Sequence, residues 1–192
     1  MNVRTMFLLC SFLLFLGCAS KAQEKIVVIG SDDTALHGDV LETFSSPWAM
    51  AFLPDGQGLV SEKTGSLWLI DKKGKKRFAI DNVPHTKARK QGGLGDIIVD
   101  PNFAENNTVY LSFVERDPNN DKLSGAVVES ANLIVEGSSA KLTNRKRLWM
   151  QSPKTTGNGH YGHKLAISPD DYLFITSGDR QKFTPAQDMT SN

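Results

Sequence analysis

Trp48-Ala49-Met50-Ala51-Phe52-Leu53-Pro54-Asp55-Gly56 is an apolar run that stops abruptly in a turn. Each turn residue has a mechanical reason: proline presets its own φ, aspartate caps its own backbone, and glycine tolerates angles other residues avoid. Residues 58–62 come back from this turn as a second apolar run. Thr64-Gly65 turns again, residues 66–71 read as strand, Lys72-Lys73-Gly74 turns, and residues 77–80 read as strand. No segment of helical period interrupts them. The stretch spells four short antiparallel strands joined by tight turns.

The pattern then repeats. Residues 94–99 run into Asp100-Pro101-Asn102-Phe103, residues 108–114 return, and residues 126–135 and 141–150 supply two more strands. A third round starts at Lys164, turns at Ser168-Pro169-Asp170-Asp171 and returns over residues 172–177. The turn prolines, Pro54, Pro101 and Pro169, are 47 and 68 residues apart. That is irregular but near the length of a propeller blade, roughly 40 to 50 residues. Tandem four-stranded units imply an all-β fold of β-propeller type, with a sandwich or partly open barrel as the alternative. Ahead of the first unit, residues 25–30 read as a strand, 31–39 as polar loop and 40–44 as the start of another strand. Two units and half of a third do not close a ring, and closure is what protects sheet edges. The 192 residues therefore read as the N-terminal part of a longer protein, inactive by themselves.

Residues 1–22 differ in kind and read as a signal peptide: residues 6–16 are nearly all apolar, too short a run to span a membrane. Ser20-Lys21-Ala22 suits a signal peptidase and would release residues 23–192 as the mature domain. Phe15-Leu16-Gly17-Cys18 resembles a bacterial lipoprotein box, with Phe15 where leucine is usual and Cys18 as the lipidated residue. Both routes export the protein, to the periplasm or to a membrane lipid anchor. Cys10 and Cys18 are the only cysteines, so the exported chain has no disulfide and rests on its core. The chain has 22 basic and 21 acidic side chains; removing the leader takes away Arg4 and Lys21 and no acid. A balance near zero argues against nucleic acid as a partner.

Chemistry concentrates in residues 157–180. A glycine-punctuated loop carries His160 and His163, and histidine is the default general base near neutral pH. His163 reads as structural or surface. Asp179 and Arg180 follow the next strand; they either pair with each other or form a wall of the site. Gln91-Gly92-Gly93 is a tight turn or a cofactor contact, since an amide both donates and accepts without adding charge. The basic run at residues 72–77 reads as a solvated hairpin tip, and Trp48, Trp68 and Trp149 read as core. Asp55, Asp100, Asp170 and Asp171 read as turn residues, because no loop sets oxygen ligands at alternating positions for calcium.

Four stretches in order carry a resemblance. They are Pro47-Trp48-Ala49-Met50-Ala51-Phe52-Leu53-Pro54-Asp55-Gly56; Gln91-Gly92-Gly93-Leu94-Gly95-Asp96 with Asp100-Pro101-Asn102-Phe103; Gly159-His160-Tyr161-Gly162 with Lys164-Leu165; and Gly178-Asp179-Arg180 with Ala186-Gln187-Asp188. From about residue 40 onward the chain resembles the soluble pyrroloquinoline-quinone (PQQ) dependent aldose sugar dehydrogenases of the glucose/sorbosone dehydrogenase family. The resemblance implies a six-bladed propeller, of which this chain covers about the first half. It implies oxidation of an aldose at the anomeric carbon, with hydride passing to the quinone, calcium polarising it, and an external electron acceptor. It sets His160 at the position of the base and Gln91 at that of a cofactor-contacting glutamine. The calcium ligands and the basic residues that grip the quinone would lie downstream of Asn192. The chain departs from the family in His163, where a small residue is usual, in Lys164 for arginine, and in Pro169-Asp170-Asp171 for Pro-Asp-Gly. Two other readings stay open: a non-catalytic exported propeller that binds glycan or protein, and a lactonase-like propeller hydrolase.

Overall fold

The computed structural model describes residues 25–184 and 187–190; the expected leader with Cys18, and Ala186, lie outside the described residues. Contacts divide the chain into residues 1–40 and residues 41–192.

In the first unit, β1 (Lys25–Ile29) and β2 (Ala35–Asp39) form an antiparallel hairpin registered from Lys25↔Asp39 to Ile29↔Ala35. The expected polar loop over 31–39 therefore shrinks to the turn, closed by the Gly30 N–H donating to Thr34 O at 2.8 Å. Ile26, Val27, Val28, Ile29 and Leu36 are all exposed. With neither face buried, this hairpin has no alternating pattern to betray its second strand.

The second unit holds β3 (Pro47–Phe52), β4 (Gly58–Glu62), β5 (Leu67–Ile70) and β6 (Lys76–Asp81), paired antiparallel in that order. The next quartet is β7 (Leu94–Val99), β8 (Thr108–Asp117), β9 (Asn120–Glu136) and β10 (Ser139–Met150), again antiparallel in order. A third begins with β11 (Gly162–Ile167) and β12 (Leu173–Ser177). These are the expected propeller blades. The two complete blades meet at their outer strands, where β6 and β10 pair in parallel at Ile80↔Ala140 and Asp81↔Lys141. Their inner strands also meet: β3 packs on β7, and β7 on β11. One turn of helix, α1 (Phe103–Asn106), interrupts the first connection of blade two. Residues 40–44 form no strand. Their polar member Glu42 instead accepts from the Thr43 and Lys76 backbone N–H groups.

The core lies between the blades. Leu59, Leu67, Leu69, Leu94, Val109, Leu111, Val127 and Leu142 have no exposed surface. Each is worth roughly 1.5 to 3 kcal/mol relative to an exposed side chain. β4 is buried along its whole length, polar members included. Ser61 Oγ donates to Gly95 O at 2.7 Å, tying blade one to blade two. Glu62 accepts from the Ser45 N–H at 2.6 Å and the Trp68 indole at 3.0 Å. Buried polar groups are tolerable when satisfied in this way. Trp48 departs from its expected core placement: it is 42% exposed, because the period-two alternation of β3 turns it away from the blade interface.

All three inner strands share one irregularity. One extra residue is accommodated between Pro47 and Ala49 in β3, Leu94 and Ile97 in β7, and Gly162 and Leu165 in β11. Such bulges bend a strand and redirect its side chains. Here each lies at the strand's N-terminal end, which we call its head.

Candidate functional site

The heads of β7 and β11 bring Gln91, His160 and Asp179 together. At the head of β7, Gly93 has φ 147° and a β-carbon there would overlap Lys63 O. Only glycine lets blade two's first strand cross so close to blade one, so the Gly92-Gly93 pair fixes where Gln91 stands. The Gln91 N–H donates to Asn158 O at 3.0 Å, and its side-chain Oε1 accepts from the His160 N–H at 2.7 Å. Gly178 makes a matching close approach from β12, since a β-carbon there would strike His160 O.

His160 adopts φ 48°, a left-handed conformation uncommon for a side-chain-bearing residue. Its imidazole is open, with 49% of the side chain exposed. Nδ1 lies 2.7 Å from Asp179 Oδ1. That carboxylate also accepts from the Gln181 N–H at 2.9 Å. The Gln181 amide first, and the imidazole second, hold the Asp179 carboxyl below its usual range, so it is ionised at neutral pH. An ionised acceptor at Nδ1 favours the proton there, and in the neutral ring the lone pair is then on Nε2, directed away from Asp179.

His163 points the other way. It is 3% exposed, with Nδ1 at 3.2 Å from Ser112 Oγ, its ring 5.7 Å from Trp48 and 5.6 Å from Tyr161. Burial, with Arg180 adding to it and Asp96 opposing it, pushes its pKa down to about 4. It is a neutral structural histidine, seated over Gly95, where any β-carbon would meet its ring at 2.5 Å. His160 lies ahead of β11 and His163 inside its bulge, between Gly162 and Leu165, and the two rings face opposite ways.

Asp179 and Arg180 do not pair with each other. Arg180 is 1% exposed and its guanidinium is spent on carbonyls beneath the loop, not on the open wall that the sequence suggested. Beside the loop, Gly162 and Lys164 line a 260 Å³ cavity with Trp48, Ala49, Met50 and Asp96. Lys164 Nζ is 3.0 Å from Asp96 Oδ2 in that wall. A larger cavity, 480 Å³, opens at the opposite ends of β3 and β7 between Leu53, Phe103, Leu133 and Val135. It contains no histidine and no acid–base pair, so we place the site at the heads.

Asp55, Asp100 and Asp170 behave as turn residues. Each accepts a bond from a residue two positions on in the chain or two before it: Gln57, Asn102 and Ser168. Reading residue types along the chain missed the imidazole–carboxylate contact and the buried supports Tyr161, Ser124 and Gln151. The one available signal was the alternation of His160 and Tyr161 on successive, oppositely directed positions.

The family model for glucose / sorbosone dehydrogenases matches residues 44–192. The chain belongs to that family. It is 33% identical over 144 residues to the aldose sugar dehydrogenase YliI of Escherichia coli (strain K12), covering 74% of this chain and 38% of that protein. A solved glucose dehydrogenase superposes with a TM-score of 0.69 at 34% identity, over 74% of this chain and 43% of that one. The PQQ-bound aldose sugar dehydrogenase of Streptomyces coelicolor gives 0.67 at 25% identity, over 78% and 42%. The chain thus spans 38% to 43% of the length of these family members.

Proposed function

We propose that the full-length protein is an exported sugar dehydrogenase that oxidises an aldose at its anomeric carbon, with His160 Nε2 as proton acceptor and PQQ as hydride acceptor. The observation that carries this reading is the 2.7 Å contact between His160 Nδ1 and Asp179 Oδ1. A base must be neutral and must present a lone pair to the donor hydroxyl. Asp179 holds the tautomer that does so, and its negative charge stabilises the imidazolium once the proton has moved.

Gln91 fits a quinone or carboxylate ligand. Its Oε1 is committed to His160, and its amide hydrogens have no partner among the described residues, so they are available as neutral donors. Gly159 keeps the approach low: a β-carbon there would come within 3.1 Å of Gln91 Oε1. The PQQ-bound relative supports this choice of cofactor. When bound, the quinone supplies the hydride acceptor that no amino-acid side chain provides. Calcium is a different matter. Among the described residues no group of three or more His, Cys, Asp or Glu side chains gathers to hold a metal ion.

The apolar run at residues 6–16 supports export, either by release after Ala22 or with Cys18 as a lipid anchor, and an external acceptor then takes the electrons. The test is reconstitution of the full-length protein with quinone and calcium, followed by dye reduction on a panel of aldoses. His160→Ala is expected to lower kcat by about 10² to 10⁴. Full activity in that variant, or no quinone uptake by the wild type, ends this reading.

A further inference from the structure

Among the described residues Arg180 heads the largest side chains that are almost wholly buried. A guanidinium so placed usually meets a carboxylate. Among the described residues this one meets only neutral acceptors. Nε donates to Gly159 O at 3.1 Å. Nη1 donates to Ser124 O at 2.5 Å and Gln151 Oε1 at 3.2 Å. Nη2 donates to Gly157 O at 2.6 Å and Ser124 Oγ at 3.5 Å. Tyr161 covers one face, its ring centre 3.7 Å from the guanidinium carbon. The five bonds match the five hydrogens of the fork.

The partners fall into two groups. Ser124 and Gln151 belong to blade two, while Gly157 and Gly159 belong to the loop that delivers His160. Arg180 is also joined by a peptide bond to Asp179, and its own N–H donates to His160 O at 3.2 Å. One residue therefore holds both members of the imidazole–carboxylate pair. The backbone around it is strained: His160, Arg180 and Gln181 have φ of 48°, 55° and 60°. Side-chain-bearing residues persist there only where their surroundings over-determine them. The guanidinium bonds, with Gln91 Oε1 on the His160 N–H, are the contacts that surround this backbone.

We propose that Arg180 is a positioning residue, a buried cation that sets the angle at which His160 meets Asp179 through the main-chain carbonyls of residues 157 and 159. This rests on His160 being the proton acceptor. It makes the shape of the fork, and not charge alone, the requirement, because an ammonium offers three donors from one point and cannot serve both groups of acceptors.

The test uses the full-length protein and nitrogen-resolved NMR of the His160 ring, which reads the tautomer without cofactor or substrate. In the wild type the Nδ1–H form is expected, with Arg180 guanidinium protons individually resolved and slow to exchange. In Arg180→Lys, and likewise in Arg180→Gln, the tautomer bias is expected to be lost. Reconstituted Arg180→Lys is expected to lose about 100-fold in kcat, the scale of a small misplacement, with the aldose KM within about threefold. An Arg180→Lys protein that keeps the Nδ1–H form and kcat within about threefold overturns the proposal. So do freely exchanging guanidinium protons in the wild type, a measurement that needs no variant to fold. A wild type with the expected ring and guanidinium signals but no quinone-dependent dye reduction supports the geometric part of this inference, Arg180 holding the His160–Asp179 contact, and overturns the enzymatic reading on which its catalytic part rests.

Discussion

The two ends of the inner strands are built on different principles. At the feet, the turns after β3, β7 and β11 are closed by their own side chains: Asp55 on Gln57, Asp100 on Asn102, Ser168 on Asp170. Every one of those bonds spans two residues. At the heads, the bonds that matter reach across blades: Gln91 to His160 and Asp96 to the Leu165 N–H each join residues 69 apart. The heads also carry the bulges and the left-handed histidines. A foot is a local solution that any blade can make alone. A head exists only when two blades are in place, and that is where Gln91, His160 and Asp179 come together.

The sharpest way to break this contrast is to add one methyl group at each end. Gly93→Ala forces a β-carbon into Lys63 O with φ 147°, and should cost about 4 kcal/mol in denaturant unfolding of the full-length protein. Gly56→Ala, at φ 88° but with only the Lys72 side chain near at 3.8 Å, should cost about 1 kcal/mol. Equal costs would mean that the inter-blade crossing is not the constraint.

Acid is the next probe. His163 has a folded pKa of about 4 against 6.5 free, so the folded state binds fewer protons than the unfolded state between those values. Its contribution is present above pH 6.5 and is lost as pH falls toward 4, on the order of 3 kcal/mol in all. Asp96 and Arg180 are the charged groups that act on it. Unfolding measured across that window should show a slope that His163→Gln flattens.

A smaller effect is expected from the same amide substitution at head and foot. Asp179→Asn removes the charge that fixes the His160 tautomer, and kcat should fall about 100-fold by dye reduction. Asp170→Asn should leave kcat within about twofold, because Asp170 Oδ1 meets only Ser168 Oγ in an exposed turn. A comparably small effect, on stability, is expected at Asp55, whose carboxylate accepts from the backbone and side-chain N–H groups of Gln57. Asp55→Ala should cost about 0.5 to 1 kcal/mol of stability and no activity.

The same contrast explains what could be read in advance. The foot turns are legible because proline, aspartate and glycine act within a few residues, and the blades follow from them. The hairpin of residues 25–39 was half hidden, since exposure of both faces removes the alternation. At the heads, histidine and glutamine announce themselves by type, but the bond from His160 to Asp179 spans 19 residues and a strand pair. Arg180 was legible as a charge near a site, yet its burial follows from Ser124 and Gln151, 56 and 29 residues away. Nothing local distinguishes an arginine that faces the cleft from one that props the loop beneath it.

The bond from Gln91 to the His160 amide has a consequence for recombining such proteins. Blades look interchangeable, and grafting this third blade into another family member would carry over His160 and Asp179 together. It would not carry over the aim of the ring, because the acceptor that orients the histidine's amide resides in the preceding module. Chimaeras joined between these blades should therefore inherit the His160–Asp179 pair without its alignment unless the donor and host agree at position 91.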